Sequence, residues 1–239
     1  MGDLLDLAIA AHGGWERWRQ IGNIHAHLAV GGTIWSMKGW PDAYADVHCS
    51  VSTRRPHTEF TPFLKAGQHC VWEPQRTAIV SDDGMVLDER ASPRSHFGGH
   101  AIATRWDQQH LVYFTGYAMW TYLTTPFLFG LPGFGWEEIE PWSEGDETWR
   151  RLRVTFPEDV PSHSTVQTFY FDSTGLLRRH DYSVEIMGGT SSANYASDYR
   201  VRGGLQFPMR RRVYAIGPDN RPMLERVAVA IDILDIDVA

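Results

Sequence analysis

The sequence predicts a mainly β protein of the α+β class: one large antiparallel sheet, strongly curved or partly closed, with a helical insertion in its middle. Three observations predict it. Nine to eleven short segments show strand texture, many alternating apolar and polar residues, bounded by Gly, Pro, Asn and Asp. No β-α-β alternation and no repeat of fixed period interrupts them, as a parallel sheet would require. Near the centre, one uncharged aromatic stretch breaks the strand texture.

The chain has 239 residues with 43% apolar side chains, enough for the core of a single domain spanning 1–239. Its 22 basic residues are outnumbered by 29 acidic ones, for a net charge of −7. With one compact basic run at Arg210, Arg211 and Arg212, no cationic stripe for nucleic acid or for a membrane surface is present. Cys49 and Cys70 lack CxxC spacing, so neither a disulfide framework nor a zinc knuckle is read. The start, Met1-Gly2-Asp3-Leu4-Leu5-Asp6, carries acids and no basic region ahead of its apolar residues, and the expectation is a cytoplasmic protein.

Residues 3–20 fit an amphipathic helix, with Leu4, Leu7, Ala8, Ala11, Trp15 and Trp18 at steps of three and four. Gly13-Gly14 interrupts it at a cost of about 1 kcal/mol per glycine relative to alanine, which predicts a bend or a close approach. From Asn23 to about Thr104, short runs rich in Val, Ile, Thr, His and Trp read as strands and hairpins. The texture returns after Trp149, where Leu152, Val154 and Phe156 share one face and Arg151, Arg153 and Thr155 the other. Thr165–Phe171, the turn Asp172-Ser173-Thr174-Gly175 and Leu176–Glu185 form a hairpin, and Gln206–Ala215 and Arg226–Val238 add two strands. In the last of these, Val227, Val229, Ile231 and Ile233 alternate on one phase and Leu234, Ile236 and Val238 on the other. This slip predicts a bulge or bend near Ile233.

The insertion is the most informative segment. From Leu111 to Trp136 there is no charged residue and no histidine, while nine aromatic residues occur. Pro126, Pro132 and four glycines break the continuous helix that a bilayer demands, so no transmembrane span is expected. A helix from about Asp107 to Thr125, halted before Pro126, and a loop Phe127–Trp136 follow instead. Its apolar residues lie on more than one face, which leaves three destinations: a second core layer, a homodimer contact, or the lid and lining of a cavity.

Ala11-His12-Gly13-Gly14-x-x-x-Trp18, then Phe169-Tyr170-Phe171-Asp172, Gly175-Leu176 and Gly203-Gly204-x-x-x-Pro208, set around a central helical insertion, form a pattern that resembles the LolA/LolB/LppX-like superfamily. The resemblance implies an unclosed half-barrel with an N-terminal helix and a helical insertion on its concave side. It further implies that residues 107–136 act as a lid and that acyl chains or other lipids occupy the space between helices and sheet.

For chemistry, His25-x-His27 and His96-x-x-x-His100 are the histidine pairs a metal would need, but Gly98-Gly99 disfavours a helix at the second and no glutamate follows the first at the required spacing. No metal and no cofactor are expected. His96, His100 and His110, with Arg105 and Asp107, flank the aromatic segment in sequence. They suit either acid–base work or the plainer roles of an N-cap at Asp107 and a surface ion pair at Arg105. Serine-elbow, P-loop and dinucleotide-binding motifs are absent. Arg211 must face opposite to Arg210 and Arg212, so either it or that pair stands beside the concave side, where a head group could be held. The alternative is cross-strand pairing with Asp232, Asp235 or Asp237. Tyr182, Tyr195, Tyr199 and Tyr214 line or pack the sheet.

The leading expectation is a protein that binds a hydrophobic small molecule (lipid, terpenoid or aromatic) through Arg105, Phe114, Trp120, Tyr122, Phe127, Phe129, Trp136 and Arg211. The alternative is a cofactor-independent lyase, isomerase or hydrolase in the same cavity, with His96 or His100 as base and Tyr113 or Tyr117 as acid or oxyanion donor.

Overall fold

The computed structural model describes residues 3–239. The chain opens with α1 (Asp3–Ala11) and α2 (Gly14–Trp18), two helices where one bent segment was expected. Six strands follow as a meander: β1 (Asn23–Gly31), β2 (Val47–Ser52), β3 (Thr58–Thr61), β4 (Gln68–Glu73), β5 (Arg76–Ser81) and β6 (Val86–Ala91), with α3 (Thr33–Lys38) after β1. Then come α4 (Gln108–Thr124) and a second meander of β7 (Gly135–Glu144), β8 (Glu147–Thr155), β9 (Val166–Phe171), β10 (Leu177–Val184), β11 (Thr190–Arg202), β12 (Leu205–Ala215) and β13 (Val229–Val238).

Antiparallel pairing of β1 with β13 joins the two meanders into one sheet, ordered β6-β5-β4-β3-β2-β1-β13-β12-β11-β10-β9-β8-β7. The sheet is open, and β6 and β7 are its edges. It holds thirteen strands rather than nine to eleven, and β7 begins inside the stretch expected as loop. Edge position explains both differences. β6 and β7 are largely exposed on both faces and carry Asp88, Glu89, Glu137, Glu138 and Glu140, so they lack an apolar phase and resist pairing with a stray strand.

The expected phase slip is a bulge. Along β1 the partner jumps from Asp235 to Ile233 between His27 and Leu28, leaving Leu234 as the extra residue, 53% exposed. The β9–β10 turn is also as expected, since Asp172 Oδ1 accepts from the backbone N–H groups of Thr174 (2.9 Å) and Leu176 (3.1 Å).

The two Gly-Gly pairs meet in space. Gly203 and Gly204 make the β11–β12 turn, and a Cβ on Gly13, whose φ is 118°, would come within 2.5 Å of the Gly204 carbonyl oxygen. Gln206 N–H donates to the His12 carbonyl beside them, so the helix junction is seated on the hairpin.

Since β6 and β7 are opposite edges, the chain between them crosses the open side of the sheet, and α4 lies in that crossing. At 17 residues it is about 25 Å long. Asp107 caps it by accepting from His110 N–H at 2.9 Å, and it ends before Pro126. Every residue from Gln109 to Thr124 is buried. The absence of a polar face, visible in the sequence, is met by a sheet that curves around the helix. Gly116 lets α4 reach β4, since any side chain there would overlap Trp72. No helix among the described residues is long and apolar enough to cross a membrane.

Candidate functional site

Cross-strand register places one row of side chains on the concave face. His180 (β10), Asn194 (β11), Val213 (β12) and Val229 (β13) are successive partners, and Ala196, Arg211 and Ile231 form the next row. Between this face and the helices α3 and α4 lies a cavity of about 240 Å³. Its wall is built from Ile34 and Trp35 of α3, Phe114, Met119 and Tyr122 of α4, and Tyr182, Val184, Val213 and Ile231 of the sheet. Met37, Ile102, Thr190 and Arg226, which are exposed or half-buried, lie at its solvent side. Tyr122, Tyr182, Thr115 and Ser192 are the buried polar residues of its wall.

These two tyrosines belong to a buried chain of hydrogen bonds. Tyr117 Oη meets His163 Nδ1 at 3.0 Å, Tyr122 Oη meets His163 Nε2 at 2.9 Å, and the Tyr122 and Tyr182 hydroxyls are 2.8 Å apart. A neutral imidazole donates from one nitrogen and accepts at the other, so one tautomer fixes the direction of the first links. Burial pushes His163 down to about 3 and Tyr122 up to about 12, and it moves His180 and Tyr182 in the same respective senses. All four are neutral at pH 7. With both ring nitrogens engaged and protonation so disfavoured, His163 orients Tyr122 at neutral pH rather than taking up a proton.

His180 stacks on Phe169 at 4.0 Å, and its Nε2 lies 2.6 Å from Gln167 Oε1. Arg211 adds the charge. Its guanidinium lies 4.9 Å from the centre of the Tyr122 ring, and Nη2 donates to the Tyr122 carbonyl at 3.0 Å.

Of the expected ligand-binding residues, Phe114 and Tyr122 line the cavity and Arg211 stands behind Tyr122. Trp120 faces Trp72 and donates to the Ser52 carbonyl. Phe127 stacks on Trp18 at 4.3 Å, and Phe129 packs on Phe169. Trp136 lies on edge strand β7, 41% exposed, and Arg105 is exposed beside Gly39. The expected catalytic set does not converge. His96 is exposed and only its carbonyl is engaged, 3.2 Å from His110 Nε2, while His100 packs on Phe97 and His110. Tyr113 Oη lies 3.4 Å from Arg94 in a separate groove, and Tyr117 alone joins the buried chain. Asp107 pairs with Arg90, not Arg105.

Both expectations for the arginine run apply, one to each face: Arg211 is inward, while Arg210 and Arg212 pair with Asp232 outside. Sequence reasoning missed His163, His180 and Asn194. His180 was within reach of the period-two argument, since it shares a strand face with Tyr182 and Val184. His163 lies in the irregular segment 157–165, where no periodicity operates.

The same architecture occurs in solved structures. The chain is similar to a candidate outer membrane lipoprotein-sorting protein domain from Vibrio parahaemolyticus, over 98% of this chain and 91% of that one, with TM-score 0.55 and 8% identity. It is similar over the same shares to a DUF1329 family protein from Desulfovibrio piger, with TM-score 0.54 and 10% identity. A LolA superfamily protein from Nitrosomonas europaea aligns over 94% of this chain and 91% of its own, with TM-score 0.48 and 11% identity. No protein-family profile and no curated protein sequence matches the chain. The fold is that of a LolA-like half-barrel: an open antiparallel sheet with helices in its concavity.

Proposed function

We propose that this protein binds a hydrophobic small molecule between the concave face of its sheet and α4, with α4 as the fixed inner wall and α3 beside the entrance. The observation that carries the reading is the cavity itself: about 240 Å³ lined by Trp35, Phe114, Met119, Val213 and Ile231, with hydroxyls at Tyr122 and Tyr182. An apolar space with a few fixed polar groups is the common form of a small-molecule site. The Vibrio protein that this chain resembles is named for lipoprotein sorting, in keeping with a site for a hydrophobic ligand.

The test is titration with the uncharged fluorescent probe N-phenyl-1-naphthylamine. The wild-type protein should give saturable enhancement at one site. Ala118→Phe, which places a ring into the cavity from α4, should lower the affinity at least tenfold while the protein remains folded. No saturable signal, or equal binding by a folded Ala118→Phe variant, would overturn the proposal.

A further inference from the structure

Arg211 is 2% exposed, and no carboxylate among the described residues pairs with it. Asp172, which shares its neighbour His12, is committed to Arg178 at 2.6 Å. Buried charges in folded proteins are normally paired, because desolvation of an isolated ion is costly. A helix-capping role accounts for part of the geometry. The Tyr122 carbonyl that accepts from Nη2 is in the last turn of α4, where a cation is favoured. That contact leaves Nη1 buried without a hydrogen bond and the positive charge without a counter-ion.

A second polar group stands nearby in the same condition. Asn194 is fully buried in the concave row beside Tyr122, and neither atom of its amide makes a hydrogen bond of good geometry. Three wall residues border Arg211: Tyr122 beneath its guanidinium, Ile231 across the strand pair and Val213 two residues along β12. Arg211 Nη1 and the Asn194 amide, both buried behind the Tyr122 wall of the apolar cavity and without hydrogen bonds of good geometry, match one negative charge carried on a planar pair of oxygens once that wall gives way. A dianionic phosphate would bring a second charge for which the described residues place no second buried cation beside Arg211.

Resting on the hydrophobic-ligand reading above, we propose that the cavity takes an amphiphile with a carboxylate head, a long-chain carboxylic acid, whose head group reaches Arg211 Nη1 and the Asn194 amide while its chain fills the apolar space. The tyrosine hydroxyls flank the head, and the chain points toward Met37 and Ile102.

The experiment is competition of dodecanoate, dodecanol and dodecyl phosphate against N-phenyl-1-naphthylamine in wild type, Arg211→Met and Arg211→Lys. Wild type should prefer dodecanoate to dodecanol by roughly tenfold or more, the worth of a hydrogen bond to a charged group. Arg211→Met should lose that preference, read as the ratio of the affinities for acid and alcohol, and Arg211→Lys should retain part of it. Equal wild-type affinity for acid and alcohol would overturn the proposal, as would a preference that survives in Arg211→Met or a stronger preference for the phosphate. If Arg211→Met does not fold, the wild-type comparison and Arg211→Lys still decide. Failure of the probe and of all three amphiphiles to bind wild type would instead remove the hydrophobic-ligand reading itself.

Discussion

His163 and Tyr182 lie face to face, with ring centres 3.9 Å apart and planes 10° from parallel. This stack joins the irregular segment 157–165 to β10, and the two nitrogens of His163 join it to Tyr117 and Tyr122 of α4. One imidazole thus ties the helix to the sheet beside the cavity. Replacing it with leucine would leave the buried Tyr117 hydroxyl without a partner, at ~1–3 kcal/mol, while Tyr122 keeps its bond to Tyr182. His163→Leu is expected to lose about 1–3 kcal/mol in urea denaturation, and a loss under ~0.5 kcal/mol would show that the chain of hydrogen bonds carries little of the helix anchoring.

The same burial sets a pH dependence. Burial pushes His163 down to about 3 and His12 to about 4 from an ordinary 6.5, and His180 is also held low. Between these values the unfolded chain binds protons that the folded one refuses, so stability rises with pH across the window. It is fully present above about 6.5 and is lost as pH falls toward 4. The urea midpoint should therefore drop between pH 7 and pH 4.5, and it should drop less in His163→Gln. A midpoint independent of pH in wild type would contradict the assignment.

Gly116→Ala gives a test of sign. In a solvent-exposed helix the change stabilises by about 1 kcal/mol, yet here the added Cβ would overlap Trp72. Overpacking of ~1–3 kcal/mol should win, so thermal denaturation is expected at lower temperature. A stabilised variant would mean that α4 is not seated on β4.

Neighbouring arginines on β12 should behave oppositely. Arg212 forks onto Asp232 at 2.8 and 2.9 Å on the outer face, where both groups are partly exposed. Arg212→Ala should cost no more than ~1 kcal/mol and leave probe binding unchanged. A loss of binding from this outward substitution would contradict the assignment of faces.

How much was legible in the sequence follows from which residues sit in regular, half-buried elements. The helix before Pro126, the Asp172–Gly175 turn and the bulge beside Ile233 were readable because period and turn chemistry act locally. Edge strand β7 was not, since a strand exposed on both faces has no apolar phase. The flanking group His96, Arg105 and Asp107 was misleading for a geometric reason. It sits before or at the N-terminus of α4, whereas α4 itself meets the cavity only from Phe114 to Tyr122. Proximity in sequence to an apolar segment is not proximity to the space it encloses. Arg211 was placed by alternation only as one of two orientations, and cross-strand register selected the inward one.

The most direct test of the central claim is native mass spectrometry of the protein and of Ala118→Phe, each incubated with dodecanoate and then freed of excess. A one-to-one adduct is expected on the wild-type protein, released by organic solvent, and bare mass for the folded variant. Bare mass for both, or equal adducts on both, would contradict a ligand site between α4 and the sheet.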